Sequence, residues 1–167
     1  MVENIFGTDG IRGKTNTYPI DAETILKIAL SCGHVMGKNI KSPKVLIGKD
    51  TRRSGYMVES ALTAGFISMG WEVNLLGPLP TPAVSFLTKS LRADLGIMVS
   101  ASHNTFEDNG IKFFDKDGLK IDTITEEAIS KEIKNKSQLV APNGLGRARR
   151  INDVLGRYTE FAKITIP

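Results

Sequence analysis

Three short apolar runs, Lys44-Val45-Leu46-Ile47-Gly48, Trp71 to Leu76 and Leu95-Gly96-Ile97-Met98-Val99, constrain this chain most, because segments of helical periodicity separate them. Residues 21 to 37 read as a helix: Asp21 can cap it, Ile25, Ile28, Ala29, Cys32, Val35 and Met36 recur at near-helical spacing, and Gly37 offers a stop. Ser54 can cap a second helix through Ala61, Leu62, Gly65, Phe66 and Met69 to Gly70. Gly77-Pro78-Leu79-Pro80-Thr81-Pro82 is a stiff turn into a third helix at 82 to 90. A β-α-β-α-β alternation of this kind buries its strands between helices on both faces. After it, Ile111 to Phe114, Asp115-Lys116-Asp117-Gly118 and Leu119 to Ile121 read as a β-hairpin with Asp117-Gly118 as its tight turn. Helices at about 124 to 135 and 151 to 163, joined by a Gly/Pro link at 141 to 146, complete the chain. The expected fold is α/β: a three-layer αβα domain with a mixed, mostly parallel sheet and a terminal β-hairpin.

A chain of 167 residues is one domain's worth, able to bury roughly two-thirds of its unfolded surface. Its 41% hydrophobic and 24% charged residues exclude a disordered chain. Met1 to Phe6 lack the basic and apolar regions of a signal peptide. No apolar run approaches the ~18 residues that span a bilayer. The single cysteine, Cys32, has no internal partner for a disulfide and suits a reducing cytoplasm. A net charge of +4 raises the question of nucleic acid. The basic residues are scattered, however, and Arg147, Arg149 and Arg150 form the densest group with little aromatic interleaving, so a solvated surface or attraction of an anionic small molecule is the reading. Neither nucleic acid nor membrane is expected as a partner.

The apolar run at 95 to 99 ends abruptly in Ser100-Ala101-Ser102-His103-Asn104. That puts hydroxyl and hydrogen-bonding side chains at the carboxyl end of a strand, the edge where open α/β sheets bind ligands. Ser102 could be a nucleophile, a phosphate carrier or a plain loop hydroxyl. The Gly-x-Ser-x-Gly elbow of hydrolases is missing, and an adjacent imidazole on an extended loop commonly points away from its serine, which argues against a Ser-His-Asp relay. Gly-x-Gly-x-x-Gly after a strand and the Walker pattern are also missing, which argues against a dehydrogenase or an ATPase. Polar loops at 6 to 16, 48 to 54, 77 to 82 and 100 to 110 are candidates to surround the serine. Arg12, among three glycines, could hold phosphate with two parallel hydrogen bonds, or simply bridge to a carboxylate in a turn. Lys112 could reach the same place as a point charge, or be an exposed strand lysine. His34 reads as an ordinary helix histidine. Asp115-x-Asp117-Gly118 lacks the remaining ligands of a calcium loop and fits a turn better.

Taken together, five stretches resemble the first domain of the α-D-phosphohexomutase superfamily. They are Phe6-Gly7-Thr8-Asp9-Gly10-Ile11-Arg12-Gly13, Gly48-Lys49-Asp50-Thr51-Arg52-Arg53-Ser54-Gly55, Gly77-Pro78-Leu79-Pro80-Thr81-Pro82-Ala83, Ser100-Ala101-Ser102-His103-Asn104 and Asp108-Asn109-Gly110-Ile111-Lys112-Phe113-Phe114. The wording of the first stretch, with Asn16 after it, and of the last is similar to members that handle hexosamine phosphates. The resemblance implies that Ser102 carries a phosphoryl group passed to and from a hexosamine phosphate. The primer would be glucosamine 1,6-bisphosphate or glucose 1,6-bisphosphate. It implies Mg²⁺ on a phosphoryl oxygen of phospho-Ser102, with Arg12 and Lys112 steadying charge and helping proton movement. His103 would orient the site or assist proton transfer, and Arg12, Asn104 and Lys112 would contact substrate.

Two departures stand out. Thr105 occupies a position where the family usually has proline, which leaves the loop freer. The family has four domains, and residues 1–167 resemble domain I only. The other three, with the acidic Mg²⁺ loop, the sugar-reading loop and the phosphate cradle, are then the expected partners. On this reading the chain is a domain of a longer protein or a truncated product, with little or no turnover alone. The alternatives are a stand-alone sugar-phosphate or protein-binding module, and a domain of an enzyme for mannose or glucose phosphates.

Overall fold

The structure, a computed structural model, describes residues 4–165; Met1 to Glu3, on which part of the signal-peptide reading rests, lie outside them. Six strands are interleaved with five α-helices: β1 (Ile11–Lys14), α1 (Ala22–Gly37), β2 (Lys44–Lys49), α2 (Ser54–Ser68), β3 (Glu72–Pro78), α3 (Thr81–Ser90), β4 (Leu95–Val99), β5 (Asp108–Phe114), α4 (Thr123–Glu132), β6 (Arg147–Arg150) and α5 (Val154–Ile164). The sheet order is β1-β5-β4-β2-β3-β6. From β4 through β2 and β3 to β6 the strands are parallel, while β5 runs antiparallel to both β4 and β1. The mixed, mostly parallel three-layer arrangement is therefore as expected.

The period-2 alternation of the strands sorts the core into two layers. Val45, Ile47, Val73, Leu95, Ile97, Val99, Ile111 and Phe113 pack with Ile25, Ile28 and Cys32 of α1, Val58, Leu62 and Phe66 of α2 and Ile129 of α4. Leu46, Leu76 and Met98 face the other way, onto Ala83, Val84 and Leu87 of α3 and Val154 of α5. Burial drives the Cys32 thiol's pKa well up, leaving it an apolar core group.

Helix starts follow local chemistry. Asp21 accepts from the Thr24 amide at 2.9 Å and the Thr24 hydroxyl at 2.7 Å, satisfying an orphan donor of α1. Asp122 caps α4 through the Thr125 amide at 2.7 Å. Both carboxyls are held below their usual pKa, first by the capping side-chain hydrogen bond and then by the backbone one. A depressed folded pKa contributes stability above the unfolded value and loses it as pH falls through the folded one. Asp21→Ala is accordingly expected to cost about 1 kcal/mol near neutral pH. In urea titrations, the gap to the parent should narrow below about pH 4; a gap unchanged at pH 3 refutes capping as its source.

Four local expectations need correction. Ser54 does not cap α2: Arg53 holds the cap position without a side-chain bond, and the Ser54 hydroxyl instead accepts from Asn109 Nδ2 at 2.8 Å. The hairpin is reduced to its turn. Asp115 Oδ1 accepts from the Asp117 and Leu119 amides, and Gly118 takes φ +77°, but the return segment makes only the Phe114–Lys120 bridge. The ladder partners of β5 are β4 and β1 instead. Two strands went unread. β1 lies in the glycine-rich segment around Arg12, and β6 is the arginine group itself, an edge strand whose Arg149 donates to Asn74 Oδ1 at 2.8 Å. Charge along that open edge discourages strand addition.

Candidate active site

The site forms where β2 and β4 end side by side, with Lys49 paired to Val99. β4 gives way to Ser100, whose amide donates to the Gly110 carbonyl at 2.9 Å and whose nearly buried hydroxyl accepts from the Ser102 amide at 3.0 Å. Ser102 stands in the left-handed region, φ +60°, and is exposed to solvent. That conformation is uncommon for a non-glycine residue and is enriched at functional sites, although Asn16, Asn39, Ser42 and Arg92 also take positive φ in this chain. The hydroxyl that most resembled a carrier is thus exposed at the sheet's rim.

Register explains which cations join it. Arg12 is paired with Gly110, and Gly110 lies beside Ser100. Two strand spacings of about 4.8 Å put the backbones of Arg12 and Ser100 roughly 10 Å apart. Gly110 is required there: a Cβ would stand 2.9 Å from the Ser100 carbonyl oxygen and 3.0 Å from Arg12 Cγ, so the arginine stem lies over the glycine. Lys112 is two residues along β5, hence on the same face, paired with Met98. Arg12 and Lys112 thus share a face of the sheet, and Gly110, in register with Arg12, is hydrogen-bonded to Ser100 at the start of the serine loop. Lys112 lines a cavity of about 160 Å³ with Thr8, Asp9, Gly10, Thr81 and Lys120, and no carboxylate pairs with it among the described residues. Arg12 Nη2 donates to Asp9 Oδ2 at 2.9 Å, so the carboxylate bridge does occur, while its buried Nε has no partner among the described residues.

His103 does not turn away from the serine. Its Nδ1 lies 3.4 Å from Ser102 Oγ, the outer limit of a hydrogen bond. Ser102 Oγ is the hydrogen-bond partner of the ring among the described residues. Asn104, expected to meet substrate, spends its side chain within the loop, Nδ2 donating to Asp108 Oδ2 at 3.0 Å. Thr105 stands where proline was expected. Its carbonyl accepts from the Asp108 amide and from Arg52 Nη1.

Arg52 is the residue that sequence reasoning left without a role. Its Nε donates to Asp50 Oδ2 at 2.9 Å, and its two terminal nitrogens donate to the carbonyls of Ser102, Asn104, Thr105 and Asp108. The usable signal was Asp50-x-Arg52 just past a strand adjacent to the serine-bearing one.

The metal implied by the sequence resemblance does not find a centre in these residues alone. Asp9 is engaged by Arg12, Asp50 by Arg52 and Asp108 by Asn104. No group of three or more His, Cys, Asp or Glu side chains is placed to hold an ion among the described residues. Nor is any described helix long and apolar enough to cross a membrane.

Residues 3–140 match the family described as phosphoglucomutase/phosphomannomutase, alpha/beta/alpha domain I. Among curated relatives, the phosphoglucosamine mutase of Cereibacter sphaeroides is 53% identical over 168 residues, covering 100% of this chain and 38% of the relative. That of Parvibaculum lavamentivorans is 55% identical over 169 residues, again covering 100% and 38%. The chain therefore spans well under half the length of these relatives. A crystal structure of a phosphoglucomutase/phosphomannomutase family protein from Burkholderia thailandensis superposes with a TM-score of 0.81 at 26% identity, covering 99% of this chain and 37% of that one.

Proposed function

The chain belongs to the phosphoglucomutase/phosphomannomutase family as its α/β/α domain I, and from that membership we propose that it is the phosphoserine-bearing domain of a phosphoglucosamine mutase. The observation that carries the reading is Ser102: an exposed hydroxyl held at φ +60° at the end of β4, on the sheet edge where Arg12 and Lys112 share a face. The hexosamine is favoured because relatives 53% and 55% identical over the whole chain are named phosphoglucosamine mutases.

The chemistry suits the geometry. A serine phosphomonoester hydrolyses slowly, so it persists until a positioned sugar hydroxyl attacks the phosphorus. In that attack the sugar hydroxyl gives up its proton, the bond from phosphorus to Ser102 Oγ breaks as the one to the sugar oxygen forms, and Oγ regains a proton. His103 Nδ1, 3.4 Å from Oγ, would give that proton and take it back in the reverse transfer. Lys112 and Arg12 balance charge spread over the moving phosphoryl oxygens, where catalysis is mainly positioning and electrostatics. The bisphosphorylated sugar then turns over and returns its other phosphate to Ser102. Glucosamine 6-phosphate and glucosamine 1-phosphate are interconverted in this way. Mg²⁺, when bound, would add Lewis-acid neutralisation of the phosphoryl group. From this chain phospho-Ser102 would offer it an oxygen; since no group of three or more His, Cys, Asp or Glu side chains is placed to hold an ion among the described residues, its other ligands, and the sugar-reading loops, would come from the part of the relatives that this chain does not span.

The test uses this chain joined to the downstream part of the Cereibacter relative. With glucose 1,6-bisphosphate and Mg²⁺ it is expected to gain one phosphate, mapped by mass spectrometry to Ser102, and to isomerise glucosamine 6-phosphate. The 167-residue chain alone should give little or no isomerisation. Turnover with phosphate mapped elsewhere would refute the carrier assignment.

A further inference from the structure

Arg52 lies beside the site, yet its geometry is wrong for a phosphate ligand. A guanidinium has five N–H donors in one rigid plane. Here one goes to Asp50 Oδ2 at 2.9 Å, two to the carbonyls of Ser102 at 3.1 Å and Asn104 at 2.8 Å, and two to those of Thr105 and Asp108, the last at 3.2 Å. No donor remains for a ligand. The side chain is only 11% exposed, and its charge is balanced by Asp50.

The acceptors explain what this group does. Four carbonyls from one seven-residue span of loop converge on a single plane, and the first belongs to Ser102 itself. Asp50 is tied to the sheet by its own amide, which donates to the Val99 carbonyl at 3.0 Å, and its Oδ1 accepts from the Arg52 amide at 3.0 Å. Force is thus passed from the ends of β2 and β4, through Asp50, to Arg52 and so to the serine loop. Left-handed backbone at a serine costs free energy that local sequence does not supply. The fork of hydrogen bonds to the Ser102 and Asn104 carbonyls is the main tertiary contact available to offset it.

We propose that Arg52 is a positioning residue, a backbone-saturated clamp that holds Ser102 in the left-handed conformation from which its hydroxyl meets phosphate; the second half of this statement rests on the carrier reading. Lysine cannot replace it. An ammonium has three donors on one atom, and four carbonyls plus a carboxylate spread around a plane exceed its reach.

The experiment compares the 167-residue chain with Arg52→Lys and Arg52→Ala by NMR and amide exchange. In both variants the coupling and intraresidue contact that report positive φ at Ser102 should be lost. Exchange at residues 101–108 should quicken by about tenfold or more, the factor set by losing one hydrogen bond from a charged donor, while β4 amides change less. Guanidinium ion, at concentrations too low to denature, should restore the Ser102 signature in Arg52→Ala. In the chain joined to the downstream part of the relative, Arg52→Lys should lower kcat with KM for glucosamine 6-phosphate within about twofold, the pattern of a lost transition-state arrangement. Retention of the positive φ in Arg52→Lys overturns the clamp. A raised KM at unchanged kcat overturns it too, because it would make Arg52 a phosphate ligand. Should phosphate map to a residue other than Ser102, the carrier reading fails while the loop measurements still judge the clamp.

Discussion

Ser102→Ala, in the chain joined to the downstream part of its Cereibacter relative, is expected to lower isomerisation of glucosamine 6-phosphate by about 10⁴-fold or more, the scale on which removing a reacting nucleophile is felt. The expectation rests on what surrounds the hydroxyl. Ser100 is the nearest substitute, but it is nearly buried and its oxygen already accepts from the Ser102 amide at 3.0 Å. Substrate affinity should change little, since Arg12 and Lys112, the cations proposed to meet phosphate, are untouched. Alanine also keeps the backbone donor that bonds Ser100, so the fold is retained, with a small loss for a Cβ residue without a side-chain oxygen at φ +60°. Measured kcat, KM and thermal midpoint separate these outcomes. Activity within tenfold of the parent would refute Ser102 as the phosphoryl carrier, and a collapsed midpoint would instead show that the hydroxyl serves the fold.

The largest stability effect is expected one strand away. Lys49 and Glu59 form an ion pair at 2.9 Å with side chains only 4% and 10% exposed. The ammonium also lies 3.5 Å from the centre of the Tyr56 ring. Taking such charges from water is expensive, and the pair is tolerated because each supplies the other's partner. Glu59→Ala leaves a buried ammonium with only the ring's face to receive it, worth about 0.5–2 kcal/mol. The expected loss is about 3–5 kcal/mol, a large share of the ~5–15 kcal/mol that holds a domain together. Urea unfolding should show a lower midpoint at an unchanged slope. Lys49→Met with Glu59→Leu should recover most of the loss, because no charge is then buried. If the double variant is as unstable as Glu59→Ala, lost packing, not an orphaned charge, is the cause. The pair matters to the site because Lys49 immediately precedes Asp50, the anchor of Arg52.

Much of this molecule is written in short-range pattern. The cap at Asp21, the apolar spacing from Ile25 to Met36, the run from Leu95 to Val99 and the Asp117-Gly118 turn each need only a few neighbouring residues to specify them, and each stands where local reading puts it. Ser102 and His103 were legible because a strand of that composition has to end where the hydroxyls begin. β1 and β6 were not, since Ile11–Lys14 and Arg147–Arg150 are four residues each, without alternation, and are strands only because neighbours offer them a ladder. Ser54 looked like a cap until Asn109, 55 residues away, took its hydroxyl.

By itself, then, the amino-acid sequence determined the alternation of strands and helices, the family to which the five loops belong, and the identity of the exposed hydroxyl. Tertiary structure alone decided that Arg12 and Lys112 share a face, because register across β5 sets that, and that Arg52 saturates itself on the serine loop, because its acceptors lie 50 to 56 residues away. Periodicities of two and 3.6 residues report which way a side chain faces within its own element. Which elements come to lie side by side is fixed only when the whole core packs.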